Sequence, residues 1–306
     1  MITVLAGGTG SIKIIRGFAS GPEGAEIRIV SNVGDNIWLH GLYVCPDIDT
    51  VLYGLAGILS ERGWGIKGDT FSCLAQMEKM GEEIWFKLGD RDLATHLLRT
   101  SLRRKGRTLT EITDWMRKKY SVSEKIYPAT DSNLETIIIT EQGPMHIQEF
   151  WVKHQGDPKV TSIQYNGAED ATANPELIES LKNSDMIILA PANPITSITP
   201  IIMVKEIKEQ LKILRNKVLA ISPLIGEQAI SGPAIKYMKA MKLVNSALGV
   251  ANFYSGIVGN FVIDLRDSPL SSKIGHLDMN IFQTDIIMRN SSDEKRLSSY
   301  IMGLNI

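Results

Sequence analysis

Residues 2–13 read ITVLAGGTGSIK, and this N-terminal stretch determines the fold class that the sequence predicts. The apolar run Ile2–Ala6 predicts a short buried strand that stops at a loop containing three glycines. Beyond the loop, apolar side chains recur at helical spacing, at Ile12, Ile15 and Phe18. A strand, a glycine loop and a helix in this order are typical of the start of an α/β domain that binds phosphorylated ligands.

Strands and helices continue to alternate along most of the chain. We predict strands at residues 27–30, 186–190, 218–221 and 261–265. We predict helices at residues 49–60, 175–183, 250–257 and 293–302, with another after Gly232. Such alternation predicts a doubly wound, mostly parallel, Rossmann-like sheet in a single α/β domain covering residues 1–306.

Two central regions depart from this alternation. Helix-period apolar residues at 69–80, 92–102 and 109–120 predict that residues 65–127 form a helical insertion over the carboxyl edge of the sheet. The runs at 136–140, 147–152 and 160–165 are β-branched, aromatic or alternating, so we predict strands there, some of them antiparallel at a sheet edge.

Charge and composition exclude several classes of protein. The 306 residues carry 33 Lys and Arg against 34 Asp and Glu, without the basic surplus usual in nucleic-acid binders. An apolar strand begins at Ile2 without a basic leader, and no apolar run reaches about 18 residues, so we expect a cytoplasmic protein without a membrane segment. Cys45 and Cys73 both lie among apolar residues, and we predict two buried free thiols.

The glycine loop is the first of four segments that could carry chemistry. Its backbone N–H groups could bind a phosphate at the start of the helix, at Gly8, Thr9 and Gly10. A Walker A motif is excluded because Ile12 rather than glycine precedes Lys13. A dinucleotide fingerprint would need an acidic residue at the end of the second strand, where Asn32 stands. The alternative is an ordinary tight turn.

The second segment brings three carboxylates within fifteen residues, at Asp35, Asp47 and Asp49. Magnesium in phosphate chemistry prefers one or two carboxylates together with substrate oxygens. A carboxylate can also orient or deprotonate an attacking hydroxyl. The alternative is that Asp47 or Asp49 only caps its helix.

The third segment, residues 85–100, is rich in arginine and lysine. We predict Asp90 as a helix N-cap and Leu93 and Leu97 on the core-facing side. Four polar residues then share another face, namely Asp92, His96, Arg99 and Arg103. Arginine suits phosphate geometry, which makes Arg91 a candidate phosphate ligand, although a solvated, salt-bridged helix is the alternative.

The fourth segment, residues 190–198, joins a predicted strand to a helix through Asn193 and Pro194, with Ser197 or Thr199 as the expected N-cap. Together with the loop at residues 222–227 it could form a second site, for an anion or a nucleobase. Ordinary turn chemistry is the alternative.

Taken together, ten ordered stretches resemble the 2-phospho-L-lactate transferase family, called CofD in archaea and FbiA in actinobacteria. They are residues 7–13, 32–36 with 40–42, 45–50 with Tyr53, 62–65, 85–100, 128–131, 146–152, 167–169, 190–197 and 222–227. The family's first loop usually reads Gly-Gly-x-Gly-Gly-Ala-Lys. Here Ser11 and Ile12 replace Gly-Ala while Lys13 is retained, which leaves phosphate binding plausible but changes the loop.

The resemblance implies a reaction in the biosynthesis of the deazaflavin coenzyme F-420. The acceptor would be 7,8-didemethyl-8-hydroxy-5-deazariboflavin, abbreviated Fo. The donor would be lactyl-2-diphospho-5'-guanosine or its enolpyruvyl counterpart, and the sequence does not distinguish them. The ribityl hydroxyl of Fo would attack the phosphorus that bears the three-carbon acid, and GMP would leave. Mg²⁺ and a homodimer are also expected.

The resemblance also implies residue roles. We expect Asp35, Asp47 and Asp49 to be catalytic, with Mg²⁺ held by Asp47 and Asp49. Phosphate binding would fall to Gly8, Thr9, Gly10, Lys13 and Arg91. Fo would contact Asn36, Asp49, Asp90 and Arg91, and the guanine nucleotide would contact Asn193, Pro194, Ser197 and Ser222. Trp38 and Trp85 are candidates to flank the deazaflavin ring, with a core role as the stronger alternative.

Two other functional classes compete with the transferase. A regulator similar to the YvcK-type gluconeogenesis factors would share the glycine loop and the sheet without being an enzyme. That family lacks the loop lysine and the stretch at residues 85–96, both present here, so the transferase is favoured. A nicotinamide-dependent dehydrogenase is disfavoured because the acidic strand-end signal is missing.

Overall fold

The computed structural model describes residues 1–21, 26–230 and 232–306. Its strands, in chain order, are β1 Ile2–Ala6, β2 Ile27–Ser31, β3 Ile37–Leu39, β4 Leu42–Val44, β5 Lys125–Pro128, β6 Glu135–Thr140, β7 Gly143–His146, β8 Val160–Asn166, β9 Met186–Leu189, β10 Val218–Ile221, β11 Leu224–Ile225, β12 Gln228–Ala229, β13 Asn260–Asp264 and β14 Asn280–Thr284.

The α-helices are α1 Gly8–Ala19, α2 Pro46–Leu55, α3 Ser72–Lys79, α4 Asp90–Arg104, α5 Leu109–Lys119, α6 Pro175–Lys182, α7 Thr199–Met203, α8 Lys205–Ile213, α9 Ala234–Ala240, α10 Ala247–Phe253, α11 Ser271–Gly275 and α12 Ser291–Met302. Two π-helical turns lie at Glu149–Lys153 and Pro194–Ile198, and two 3-10 turns at Arg215–Lys217 and Leu265–Leu270.

Seven parallel strands form the central sheet in the order β14-β13-β10-β9-β1-β2-β5. The chain leaves β1 towards β2 and β5, and later returns to the other side of β1 with β9. The strand order therefore reverses between β1 and β9, which is where open α/β sheets bind ligands, beyond the carboxyl ends of the strands. The predicted doubly wound Rossmann-like fold class is confirmed.

Apolar side chains cover both faces of this sheet. On one face Leu5, Leu189 and Phe261 belong to a core that includes residues of α6, α8 and α10. On the other face Val4 and Ile188 belong to a second core, which includes residues of α1, α5 and α12. Because both faces are covered, β9 and β10 are buried along their whole length, and their sequences MIIL and VLAI are continuously apolar.

The antiparallel strands lie outside the central sheet. Strands β7-β6-β8 form a three-stranded sheet of their own, and β3–β4 and β11–β12 are two-stranded hairpins. The strand predicted at residues 147–152 is wrong, because the chain there forms the π-helical turn Glu149–Lys153. Ile147 and Phe150 are buried three residues apart, which is a helical rather than a strand spacing.

Several boundaries and one thiol also differ from the prediction. The helix predicted from Asp49 begins at Pro46, which occupies its first turn where a missing N–H costs nothing, and ends at Leu55. Strands β3, β4, β5 and β14 were not anticipated, and two of them, β3 and β4, are only three residues long. Cys45 is buried as predicted, whereas Cys73 is exposed, because α3 buries only Leu74.

Candidate active site

The glycine loop is fixed by close contacts with two other segments. Gly8 has a φ of 69°, and its N–H donates to Asp47 Oδ1 at 2.7 Å. A Cβ at Gly7 would lie 2.7 Å from the Cβ of Ser197 and 3.0 Å from Asp47 Oδ2, so there is no room for a side chain there. Ser11, the departure from the family pattern, donates through Oγ to Gly7 O at 2.8 Å and accepts from Gly7 N–H at 3.0 Å. Its hydroxyl therefore closes the loop.

Asp35 and Asp47 form a carboxylate pair at the carboxyl ends of β1 and β2, in which Asp47 is buried and Asp35 is half-buried. The side-chain amide of Asn32 donates to Asp35 Oδ1 at 2.7 Å and to Asp47 Oδ2 at 2.8 Å. Gln148 Nε2 donates to the other oxygen of Asp35 at 3.0 Å. Both carboxylates thus share one amide, which places their oxygens close together.

The electrostatics of this pair favour a bound cation. Burial raises the pKa of Asp47 to about 6, although hydrogen bonds from Asn32 and Gly8 act in the opposite direction. Burial, and then the neighbouring charge of Asp47, raise the pKa of Asp35 well above its ordinary value. Within the described residues no three His, Cys, Asp or Glu side chains form a metal cluster. Two carboxylates that form no ion pair with any described residue nevertheless fit Mg²⁺, which takes its other ligands from substrate oxygens and water.

We expect the pair to give the protein a distinctive pH dependence of stability. Because the folded pKa of Asp47 lies above the unfolded value near 4, the contribution of Asp47 to stability is fully present below about pH 4 and is lost as the pH rises through about 6. In metal-free buffer, the melting temperature of Asp47→Asn minus that of the wild type should therefore increase between pH 4.5 and pH 7.5. Circular dichroism melts measure this difference, and a constant difference would mean that the pair is fully ionised throughout.

Asp49 lies in a different environment from Asp47. Its Oδ2 accepts from Arg99 Nη1 at 3.0 Å, and its Oδ1 accepts from Arg99 Nη2, which makes a buried bidentate ion pair. The structure therefore brings Asp47 together with Asp35, while the charge of Asp49 is already balanced by Arg99. Magnesium binding by Asp47 and Asp49 together stays a prediction, and the geometry favours Asp35 as the partner of Asp47.

Helix α4 buries its polar face, which reverses the prediction for Leu97. Asp92, His96 and Arg99 are at most 6% exposed, whereas Leu97 is 57% and Leu98 50% exposed. Leu93 is half-buried and packs in a small apolar cluster with Leu88. Helical spacing alone could not decide between the two faces.

The buried polar side chains of α4 contact one another and residues of α2. Asp92 accepts from Tyr53 Oη at 2.6 Å and lies 3.3 Å from His96 Nε2. Arg99 Nη1 lies 3.1 Å from His96 Nδ1, and because arginine only donates, this nitrogen must accept. His96 Nε2 faces the carboxylate of Asp92 but, like Arg99 Nε, has no hydrogen-bond partner among the described residues.

Beside this network lies a cavity of about 570 Å³. Asp49, Asp92 and His96 line one side of it. Five aromatic side chains contribute to the remaining wall, namely Tyr53, Trp64, Trp85, Phe86 and Trp151. We call this space the aromatic cavity.

A second cavity of about 220 Å³, here called the loop cavity, is lined by the glycine loop, Asp35, Asp47, Asn193 and Ser197. The two cavities adjoin, because five residues line both of them, namely Pro46, Thr50, Trp64, Gln148 and Trp151. The site is thus one crevice with an aromatic end and an anion-binding end.

Asp90 and Arg91 lie outside both cavities as far as the described residues show. Asp90 accepts from Thr70 Oγ1 at 2.6 Å and from two backbone N–H groups that begin α3, and these bonds lower its pKa to about 2. It is therefore not the N-cap of α4, a position that Gly89 occupies. The guanidinium of Arg91 donates to the carbonyl of Lys67 at 3.2 Å. Contact of these two residues with phosphate or Fo stays a prediction.

Other predicted residues take mixed positions. Lys13 lies beside the loop, where its Nζ donates to the carbonyl of Met288 at 2.9 Å. Asn36 donates to Tyr43 Oη at 3.1 Å, and the Ser222 hydroxyl forms hydrogen bonds with the backbone of Leu224. Neither Asn36 nor Ser222 lines the aromatic cavity or the loop cavity.

The predicted helix cap and one of the two tryptophan roles need correction. Asn193, and not Ser197 or Thr199, caps the turn that begins at Pro194, because its Oδ1 accepts from two backbone N–H groups. Trp38 is 49% exposed and lines neither cavity, so the alternative that it is a core residue is wrong. Trp85 is half-buried and lines the aromatic cavity.

The structure adds site residues that sequence reasoning missed, namely Trp64, Gln148, Trp151 and Tyr237. Trp64, Gln148 and Trp151 belong to stretches that carry the family resemblance, which was the one available signal for them. Nothing in the sequence indicated Tyr237, because α9 reads as an ordinary helix.

Comparison with known proteins gives a consistent result. The sequence model of the CofD 2-phospho-L-lactate transferase family matches residues 2–289. The chain is 37% identical to a 2-phospho-L-lactate transferase of Methanosarcina acetivorans, over 98% of both chains. It is 38% identical to that of Methanopyrus kandleri, over 99% of this chain and 97% of the other.

A solved structure of a UPF0052 family protein from Bacillus halodurans superposes with a TM-score of 0.64 at 16% identity, covering 98% of both chains, and this likeness supports the fold alone. Within the described residues, no helix has the length and apolar character needed to cross a membrane.

Proposed function

The chain belongs to the 2-phospho-L-lactate transferase (CofD) family and is a transferase, and we propose that it transfers a phospholactyl or phosphoenolpyruvyl group to Fo. The donor is the guanosine diphosphate ester of lactate or enolpyruvate, the acceptor is the ribityl hydroxyl of Fo, and GMP is released. This reaction belongs to the biosynthesis of coenzyme F-420. From the family resemblance alone we also propose a cytoplasmic homodimer.

One observation carries the proposal, namely that the aromatic cavity and the loop cavity adjoin. A deazaflavin is a flat tricycle that gains from stacking on aromatic side chains. The aromatic cavity, at about 570 Å³, has the size of sites that hold small molecules and carries indole rings from Trp64, Trp85 and Trp151. At the loop cavity the start of α1 offers the backbone N–H groups of Thr9 and Gly10, which suit a diphosphate. Those of Gly7 and Gly8 already donate within the protein. The acceptor and the donor would thus meet where the two cavities join.

The donor end requires charge balance. Asp35 and Asp47 would hold Mg²⁺, which supplies neutralisation of the diphosphate charge when it is bound. Asn32 fixes both carboxylates through its side-chain amide, so their oxygens are oriented before the donor arrives. Lys13, beside the glycine loop, adds a positive charge on the same side.

The acceptor end requires orientation of a hydroxyl. Asp49 lines the aromatic cavity, and its ion pair with Arg99 holds the carboxylate in one position. The Fo hydroxyl would donate to Asp49 while its oxygen attacks phosphorus in line with the leaving oxygen. The new bond joins the Fo oxygen to phosphorus, the bond from phosphorus to the GMP oxygen breaks, and the hydroxyl proton passes to Asp49.

The direct test is a transfer assay with purified protein, Fo, lactyl-2-diphospho-5'-guanosine and Mg²⁺. We expect a phosphorylated deazaflavin and GMP to appear in equal amounts, resolved by chromatography. Calorimetry should show binding of Fo and GDP and much weaker binding of ATP or NAD. ATP bound as tightly as GDP, with no response to Fo, would contradict the proposal.

We predict that Trp85→Ala selectively weakens use of Fo. Aromatic stacking on a nucleobase-sized ring is worth roughly 1–3 kcal/mol, so the KM for Fo should rise about tenfold or more while the KM for the donor is unchanged. Trp38→Ala is the matched control, because Trp38 is half-exposed and lines neither cavity. Steady-state kinetics with each substrate varied separately measures both effects. Equal behaviour of the two variants would place Fo elsewhere.

A further inference from the structure

The loop cavity carries two buried hydrogen-bond donors that the proposed chemistry leaves unused. Tyr237 on α9 is 1% exposed, and its hydroxyl has no hydrogen-bond partner among the described residues. The same holds for the side-chain nitrogen of Asn193. Both residues line the loop cavity. Buried polar atoms are normally paired, so two unpaired donors on one cavity point to a ligand.

Both groups can donate, and the nitrogen of Asn193 can only donate. The Oδ1 of Asn193 accepts from the N–H groups of Ile195 and Thr196, which assigns the other atom of the amide as Nδ2. Burial raises the pKa of Tyr237 above its ordinary value, so the phenol keeps its proton throughout the neutral range. A group that binds both of them is therefore an acceptor, and two donors on one cavity suit an oxyanion.

The surroundings of these donors distinguish a three-carbon acid from a plain phosphate. Ile147 and Ala192 are at most 5% exposed and line the loop cavity beside Tyr237. A phosphate has no use for an apolar wall, whereas lactate and enolpyruvate each carry a methyl or methylene group next to a carboxylate. The glycine loop and the Asp35–Asp47 pair already provide for the phosphate.

We propose that Tyr237 and Asn193 donate hydrogen bonds to the carboxylate of the transferred three-carbon acid and thereby determine specificity for it. This inference rests on the proposed function, since it assigns a binding site to the three-carbon acid of the donor ester. It makes Tyr237 and Asn193 specificity-determining residues that contact the substrate.

The test measures binding, so that it does not depend on transfer to Fo. Calorimetry in the presence of Mg²⁺ compares 2-phospho-L-lactate, inorganic phosphate and GDP on wild type and Tyr237→Phe. We expect Tyr237→Phe to lose about ten- to a hundredfold in affinity for 2-phospho-L-lactate, the range for one hydrogen bond to a charged group, with phosphate and GDP unchanged. The free variant should melt at or above the wild-type temperature, because an unpaired buried hydroxyl has been removed.

A second variant and a control complete the test. Asn193→Asp keeps the acceptor that caps the turn and replaces the donor by a negative oxygen, so it should weaken 2-phospho-L-lactate binding more than Tyr237→Phe does. Tyr254→Phe, at a buried tyrosine outside both cavities, should change nothing.

Three outcomes would overturn the inference: unchanged 2-phospho-L-lactate binding in Tyr237→Phe, equal losses for all three ligands, or no preference of the wild type for 2-phospho-L-lactate over phosphate. Wild-type protein that shows the expected binding but transfers nothing to Fo would refute the proposed function alone.

Discussion

Asp47→Asn should fold normally and transfer almost nothing to Fo. The asparagine retains an oxygen that can accept from the Gly8 N–H, and it removes a buried carboxylate whose pKa burial has raised to about 6. It gives up the bond from the Asn32 amide, which still donates to Asp35 and to the carbonyl of Thr196, so any loss of stability should be small. Transfer should drop by roughly a hundredfold or more, because the variant cannot hold a cation against the diphosphate. The measurements are a thermal melt and transfer kinetics across a Mg²⁺ titration, in which the variant should need more Mg²⁺.

Asp131→Asn provides the matched control for a carboxylate that only contacts the start of a helix. Asp131 lines neither cavity and accepts through Oδ1 from the N–H of Thr110 in the first turn of α5, a role in which asparagine replaces aspartate well. Its turnover should remain near the wild-type value. Asp49→Asn should also lower turnover, with an unchanged Mg²⁺ requirement. If Asp47→Asn and Asp49→Asn both turn over normally at every Mg²⁺ concentration, the catalytic carboxylate must be sought elsewhere.

Arg99→Met should destabilise the folded protein strongly. Arg99 is fully buried and holds Asp49 through both carboxylate oxygens. Removing one partner of a buried ion pair leaves an uncompensated charge and costs about 3–5 kcal/mol. Urea unfolding followed by circular dichroism should show a loss of that size in the free energy of unfolding. Turnover should fall as well, since Asp49 loses its fixed position.

Two comparisons separate this effect from the loss of any arginine. Arg104 lies on the same helix at an exposed position. In Arg104→Met the free energy of unfolding should therefore change by less than about 0.5 kcal/mol. The double variant Asp49→Leu with Arg99→Met removes both charges and should recover most of the stability lost in Arg99→Met. A loss below about 1 kcal/mol in Arg99→Met would show that water in the aromatic cavity solvates Asp49.

The fold was accessible from local patterns because the central strands are short, apolar and punctuated by loops. Residues 218–221 form a strand as predicted, and the glycine loop follows β1 as predicted. The pattern failed at residues 147–152, where Phe150 is buried in a π-helical turn. It also missed β14, which is half-exposed at the sheet edge and carries no continuous apolar run. Strands with little apolar character form because a neighbouring strand offers its backbone, which a local window does not contain.

The sequence by itself determined the doubly wound fold class, the family resemblance and the residue types that carry phosphate chemistry, including Asp35, Asp47 and Asp49. Those inferences depend on periodicity and on ordered motifs, which are local properties of the chain. Only the tertiary structure decided which carboxylates meet. In the folded chain Asp35 and Asp47 both accept hydrogen bonds from the amide of Asn32. Asp49 instead forms an ion pair with Arg99.

The tertiary structure also decided that the polar face of α4 is buried. It further brought Tyr237 to the loop cavity, which Asp35 and Asp47 line from a distant part of the sequence. Helical spacing fixes which side chains share a face but not which face is buried. That choice depends on partners from distant segments, here Tyr53 and Asp49, whose hydrogen bonds and charge make burial of Asp92, His96 and Arg99 possible.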